Sequence, residues 1–67
     1  MAKEYRVQLR ATQNEKGLVE WDVMIKRPNM PVFVSEFHTG SQGSAQRFAD
    51  QVVSTLLFHD KEAEVWV

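Results

Sequence analysis

The sequence predicts an α+β domain of order β-β-β-α-β: an antiparallel three-stranded meander, one helix packed on one sheet face, and a C-terminal strand. Three observations predict it. Only Ser44 to His59 carries apolar residues at helical spacing, at Ala45, Phe48, Ala49, Val52, Val53, Leu56 and Leu57. The flanking segments alternate apolar and polar residues in twos, the period of a half-buried strand. The joints between them are rich in Asn, Gly, Pro and Ser, the residues of turns and caps.

The first strand places Tyr5, Val7, Leu9 and Ala11 on one face and Glu4, Arg6, Gln8, Arg10 and Thr12 on the other. Asn14-Glu15-Lys16-Gly17 is a hairpin turn in which Gly17 takes the left-handed position. The second strand, about Leu18 to Lys26, alternates Val19, Trp21, Val23 and Ile25 with Glu20, Asp22, Met24 and Lys26. An antiparallel pairing whose residue numbers sum to an even value puts Val7, Leu9 and Ala11 beside Trp21, Val23 and Ile25. It also brings Arg10 near Glu20 or Asp22, whereas a one-residue slip buries charges against tryptophan.

In the next turn Pro28 suits position i+1 and Asn29 position i+2. Pro31, with no N–H for a ladder, opens the third strand, Val32 to His38. The same parity turns Phe33, Ser35 and Phe37 to the helix and Val32, Val34, Glu36 and His38 away from it; a bulge at Pro31 would invert this strand. Thr39-Gly40-Ser41-Gln42-Gly43-Ser44 is a loop, with Ser44 the expected N-cap and Ser41 the alternative. After the Asp60-Lys61 turn, Glu62 to Val67 alternates again, with Ala63, Val65 and Val67 toward the helix and Trp66 outside. This last strand runs parallel to strands one and three. A right-handed crossover places it beside either, and a helix lying diagonally over the whole sheet favours strand one.

The 67 residues make one domain, 1–67, with a small core. A hydrophobic share of 43% with 25% charged residues is that of a folded domain rather than a disordered one. A net charge of −1 weighs against a dedicated nucleic-acid binder, which is plainly basic at this size. The absence of cysteine excludes a disulfide scaffold and a thiolate zinc site, and it fits a reducing cytoplasm. No apolar run approaches the ~20 residues of a bilayer span, and the N-terminus passes directly into a strand pattern without a signal peptide.

The sheet face opposite the helix is the main candidate site. It carries Met24, Val32, Val34 and Trp66, with Leu18 and Met30 as further members, among Arg6, Gln8, Arg10, Lys26 and His38. Apolar patches rimmed by Arg and polar groups are binding surfaces, and Trp, Met and Arg are enriched there. The bland reading is scattered surface residues, or a third-strand register that buries Val32 and Val34. Trp66 with Arg6, Arg10 and Lys26 also resembles a stacking platform for single-stranded nucleic acid. Glu4, Glu20, Asp22, Glu36 and Glu64 share that face and offset its positive charge, so cross-strand ion pairs are the simpler account.

The loop 39–44 could hold an anion at the helix N-terminus, but it lacks the lysine of a phosphate-binding loop and reads as a capped connection. His38, His59, Asp60 and Glu62 show no HxxxH or HExxH spacing. With no cysteine nucleophile and no serine elbow, no catalytic residue, cofactor or metal site is expected.

The hairpin Tyr5–Lys26, the helix start Ser44-Ala45-Gln46-Arg47-Phe48-Ala49 and the closing strand Glu64-Val65-Trp66-Val67 together resemble a type. It is that of very small, cysteine-free, mildly acidic phage early proteins of mixed β/α build, which bind a host or defence enzyme and block it. Small phage inhibitors of host RNA polymerase are similar in particular. The resemblance covers most of the chain as topology and carries no motif, so no residue role transfers with it. It implies a non-enzymatic module in a bacterial cytoplasm whose partner is another protein. Nucleic acid across the open face is the alternative, as is a structural homodimer through that face or an edge strand; no membrane is implied.

Overall fold

Val7 opposite Ile25, Leu9 opposite Val23 and Ala11 opposite Trp21 set the register of the first two strands, β1 (Lys3–Gln13) and β2 (Val19–Lys26). The computed structural model of the protein describes residues 2–67, so Met1, assigned to the single domain on sequence grounds, lies outside the described residues. The expected parity therefore holds along the hairpin, and Arg10 faces Asp22. The turn is built as its residues dictate. Gly17 has φ of 78° and donates its N–H to the Asn14 carbonyl at 2.9 Å. The Asn14 side-chain oxygen accepts from the N–H groups of Lys16 and Leu18, at 2.9 and 3.1 Å.

The Pro28-Asn29 turn closes with Met30 N–H donating to the Arg27 carbonyl at 3.0 Å. The third strand, β3 (Val34–Thr39), departs from the expected reading. It starts at Val34, so Val32 lies in the preceding bend rather than in the sheet. Its pairing with β2 shifts by one residue between Val23 and Met24: Val23 meets Phe37, but Met24 meets Ser35 and Ile25 meets Val34. Glu36 is the extra residue of a β-bulge. The bulge inverts the strand before it, so Val34 turns to the helix side and Ser35 to the open face, opposite to the strict alternation. The position differs too, since the irregularity is at Glu36 and not at Pro31. Glu36 itself turns to the helix side, where it pairs with Arg27 at 2.6 Å.

The helix, α1 (Gln42–His59), begins two residues earlier than its apolar period indicates, because Ser41 is the N-cap. Its hydroxyl accepts from Ser44 N–H at 3.2 Å. The last strand, β4 (Ala63–Trp66), is shorter than the alternating run, and Val67 is 80% exposed rather than turned to the helix. It lies parallel to β1, with Tyr5 opposite Val65 and Arg6 opposite Trp66, and the sheet order is β3-β2-β1-β4. Asp60 holds this corner together. It accepts from Lys3 at 3.3 Å, from the Tyr5 hydroxyl at 3.3 Å and from Glu62 N–H at 3.2 Å. Burial raises its pKa, but the Lys3 ammonium and these hydrogen bonds outweigh that and bring it below the usual carboxylate value.

The core is Val7, Val23 and Ile25 from the sheet against Ala45 and Ala49 from the helix. Phe37 and Phe48 stack beside it with centroids 4.5 Å apart. Phe48, Val52, Val53 and Leu56 complete the buried stripe, while Leu57 is exposed, so the apolar face of α1 is narrower than its sequence period suggests. The helix touches all four strands and covers one side only. The two alanines set how closely the helix can sit on the sheet. Ala49→Leu is expected to cost about 1–3 kcal/mol by overpacking, read as a Tm lowered by roughly 5–20 °C, while Ser54→Leu on the exposed helix face changes stability by about 0.5 kcal/mol or less.

Candidate functional site: the open sheet face

The even-numbered residues of β1 and β2 form cross-strand rows on the face the helix leaves bare. One end of the face has Trp66, Arg6 and Lys26 in register across β4, β1 and β2. The next row sets Gln8, Met24 and Ser35 side by side, and the third sets Arg10, Asp22 and His38. Glu20 and Thr12 follow toward the hairpin tip. The structure thus brings Trp66, Met24, Arg6, Arg10 and Lys26 onto one surface. Val32 lies outside the sheet, exposed in the β2–β3 connection, and Val34 leaves the face because of the bulge.

The two ends differ in chemistry. At the first, Trp66 is 55% exposed on a paired strand, and Met24 is half-buried in the adjoining row. Arg6 pairs with Glu4 at 2.9 Å, with both side chains half exposed, an arrangement that contributes little to stability. Lys26 has no carboxylate within ion-pair distance among the described residues. This end offers an aromatic ring and cations to solvent on a rigid backbone.

The second end is a closed charge network that the sequence reading did not assemble. Asp22 is only 8% exposed, although its face is open. Its Oδ1 accepts from the Ser35 hydroxyl at 2.9 Å and faces His38 Nδ1 at 2.9 Å, while Arg10 stands 3.9 Å from Oδ2. His38 Nε2 lies 2.6 Å from Glu20, and Glu20 also accepts from the Asn14 amide at 3.0 Å. Both ring nitrogens of His38 therefore face carboxylate oxygens, which only accept. That geometry suits the imidazolium, which donates from both. Hydrogen bonding to Asp22, then to Glu20, raises the His38 pKa above its ordinary 6.5. Hydrogen bonds from His38 and Ser35 lower the Asp22 carboxyl, and those from Asn14 and His38 lower Glu20. Ser35 and His38 reach one carboxylate only because the bulge turns them to the same side. The signal in the sequence was that Asp22, on a tightly packed strand, needs donors, and Ser35 and His38 are the nearest.

Other surfaces are less organised. An open groove between α1 and the β2–β3 edge is lined by Ile25, Arg27, Glu36, Phe48, Val52 and Leu56, with its one ion pair satisfied. No cluster of three or more His, Asp or Glu suited to a metal occurs among the described residues. Among the described residues no helix is long and apolar enough to cross a membrane.

The network has a definite pH signature. His38 has a raised folded-state pKa, so its contribution is complete below about 6.5, the unfolded value, and is lost as pH rises through the folded one. Asp22 and Glu20 have lowered values, so theirs is present above the unfolded 3.8 and 4.5 and is lost as pH falls through the folded values. The thermal stability difference between the native chain and His38→Gln is accordingly expected to peak near pH 5–6 and to shrink above pH 7. Equal differences at pH 5.5 and pH 8.5 would show that His38 is not ionised in the network. The chain matches no protein-family model, no curated protein and no solved structure, so its functional reading rests on the chemistry of the open face.

Proposed function

We propose that the chain is a small non-enzymatic protein-binding module that occludes a partner's surface with its helix-free sheet face, in the manner of a phage-encoded inhibitor of a host or defence enzyme acting in the bacterial cytoplasm. The observation that carries this reading is Trp66, a large ring 55% exposed on a strand whose backbone is held by β1. An aromatic residue on a rigid element gives contact area at small entropic cost, and exposed Trp, Met and Arg are the residues that anchor interfaces. Met24 extends the apolar contact, and Val32 is a further exposed apolar residue in the β2–β3 connection. Arg6, Arg10 and Lys26 steer an acidic partner. Arg6 and Arg10 do so less than Lys26, because Glu4 and Asp22 lie beside them.

Single-stranded nucleic acid is the rival reading, since Trp66, Arg6 and Lys26 share one row. The carboxylates of Glu4 and Glu64 stand beside the same residues and repel phosphates, which favours a protein partner. A partner captured from a bacterial lysate and identified by mass spectrometry supplies the assay. Trp66→Ala is expected to weaken its binding by about 30-fold or more, a loss of at least ~2 kcal/mol, while thermal unfolding stays nearly unchanged. Loss of the fold in Trp66→Ala would make the residue structural. Oligonucleotide binding with a steep log-salt slope and no protein partner would replace this reading with the rival one.

A further inference from the structure

The two edges of the sheet are not alike. The β3 edge follows Pro28 and Pro31 and carries the bulge at Glu36, both of which discourage strand addition. The other edge is split. β4 pairs with Lys3–Arg6, and from there to the hairpin turn β1 has no strand neighbour on that side among the described residues. Asn14 N–H donates toward β2, to Leu18, and Lys3 N–H donates toward β4, to Glu62. In an unbulged ladder these directions alternate, so Leu9, Ala11 and Gln13 point their N–H and C=O groups out of the uncovered edge. This stretch, Leu-Arg-Ala-Thr-Gln, has no proline, no glycine and no bulge, and its one charge lies beside Asp22. It lacks the devices that usually blunt an edge.

We infer that this edge docks a second copy of the chain, β1 against β1 in antiparallel register about a twofold axis at Ala11. The register follows from what bounds the edge. β4 reaches as far as Arg6 and the turn begins at Asn14, and the residues between them that turn their backbone groups outward clear of β4, Leu9, Ala11 and Gln13, are centred on Ala11. Ala11 then exchanges both backbone hydrogen bonds with Ala11 of the other copy. Leu9 faces Gln13 of the other copy, and Arg10 faces Thr12. Centring on Arg10 would set that arginine against itself and push the second hairpin into β4, and centring on Thr12 would shorten the ladder. Ala11 is exposed and small, so nothing at the axis obstructs the approach. The molecule is also elongated, 45 × 23 × 14 Å with a radius of gyration of 12.9 Å, against about 11 Å for a typical domain of this length. At the hairpin end Leu18 and Val19 are exposed, which leaves a second copy access along the edge. The joined sheet would run β3-β2-β1-β1-β2-β3 and leave both open faces free, so it does not depend on the proposed use of that face.

Sedimentation equilibrium of the 67-residue chain up to about 1 mM is expected to show a monomer–dimer equilibrium. Ala11→Pro removes an outward donor without touching the β2 ladder, and is expected to be monomeric with an unchanged far-UV circular dichroism spectrum. Because the chain has no cysteine, Ala11→Cys gives a clean second test. Paired residues at the axis sit about 5.5 Å apart between Cα atoms, inside the disulfide range of about 4.4–6.8 Å, so oxidation should cross-link Ala11→Cys and not Leu9→Cys. A monomer throughout, or a dimer that Trp66→Ala dissociates, overturns the inference. So does equal cross-linking of the two cysteine variants. An edge that captures a strand of another protein instead would leave the chain monomeric, which counts against the inference in the same way.

Discussion

Val7 sits opposite Ile25 and Leu9 opposite Val23, and most of the molecule follows from those two pairings. Side chains on a strand alternate with period two, so one register choice assigns every residue of β1 and β2 to a face. The choice made here collects Val7, Val23 and Ile25 under the helix, and the same choice puts Arg10 beside Asp22 on the other side. A one-residue slip of β2 would turn Glu20, Asp22 and Lys26 under the helix, so the hairpin has a single workable pairing. The parallel strand β4 inherits it: Tyr5 opposite Val65 keeps the apolar side facing α1, and Arg6 opposite Trp66 leaves the ring outside.

Where local chemistry and parity agree, the fold is legible in the sequence. The Asn14–Gly17 turn, the Pro28-Asn29 turn, the helix and the placing of β4 beside β1 all belong to that group. The third strand is where the reading broke down, for a physical reason. Strict alternation puts the Ser35 hydroxyl under the helix and points Val34 to solvent, and it separates Ser35 from His38. Asp22 is tightly packed and demands several donors. One extra residue at Glu36 brings Ser35 and His38 to it together and turns Val34 toward the helix side. A bulge has no residue-type signature as strong as the glycine of a turn, so it shows in the sequence only through the unmet demand of Asp22. At the helix start the apolar period points to Ser44, whereas the alternative cap, Ser41, is the one used, and the first turn that follows it is polar.

Small size gives these polar contacts more weight than they would have in a larger domain. The fully buried residues are few and two of them are alanines, so the core alone leaves little margin. The carboxylate Asp60 ties the helix end to β1, and the Asp22–His38–Glu20 network ties β3 and the hairpin turn to β2. These links join elements that hydrophobic burial alone connects weakly.

The open face therefore divides into a part that maintains the fold and a part that is free of that duty. Asp22, His38 and Glu20 spend their hydrogen-bonding capacity on one another and on Ser35 and Asn14, and a partner could reach them only by breaking bonds the sheet needs. Trp66, Arg6 and Lys26 have no such commitment beyond the exposed Arg6–Glu4 pair. The self-satisfied end fixes the twist and position of the strands, and the other end presents its side chains on that fixed frame. A binding surface on a chain this short needs such a division, because residues that both hold the sheet and grip a partner would have to release one to do the other.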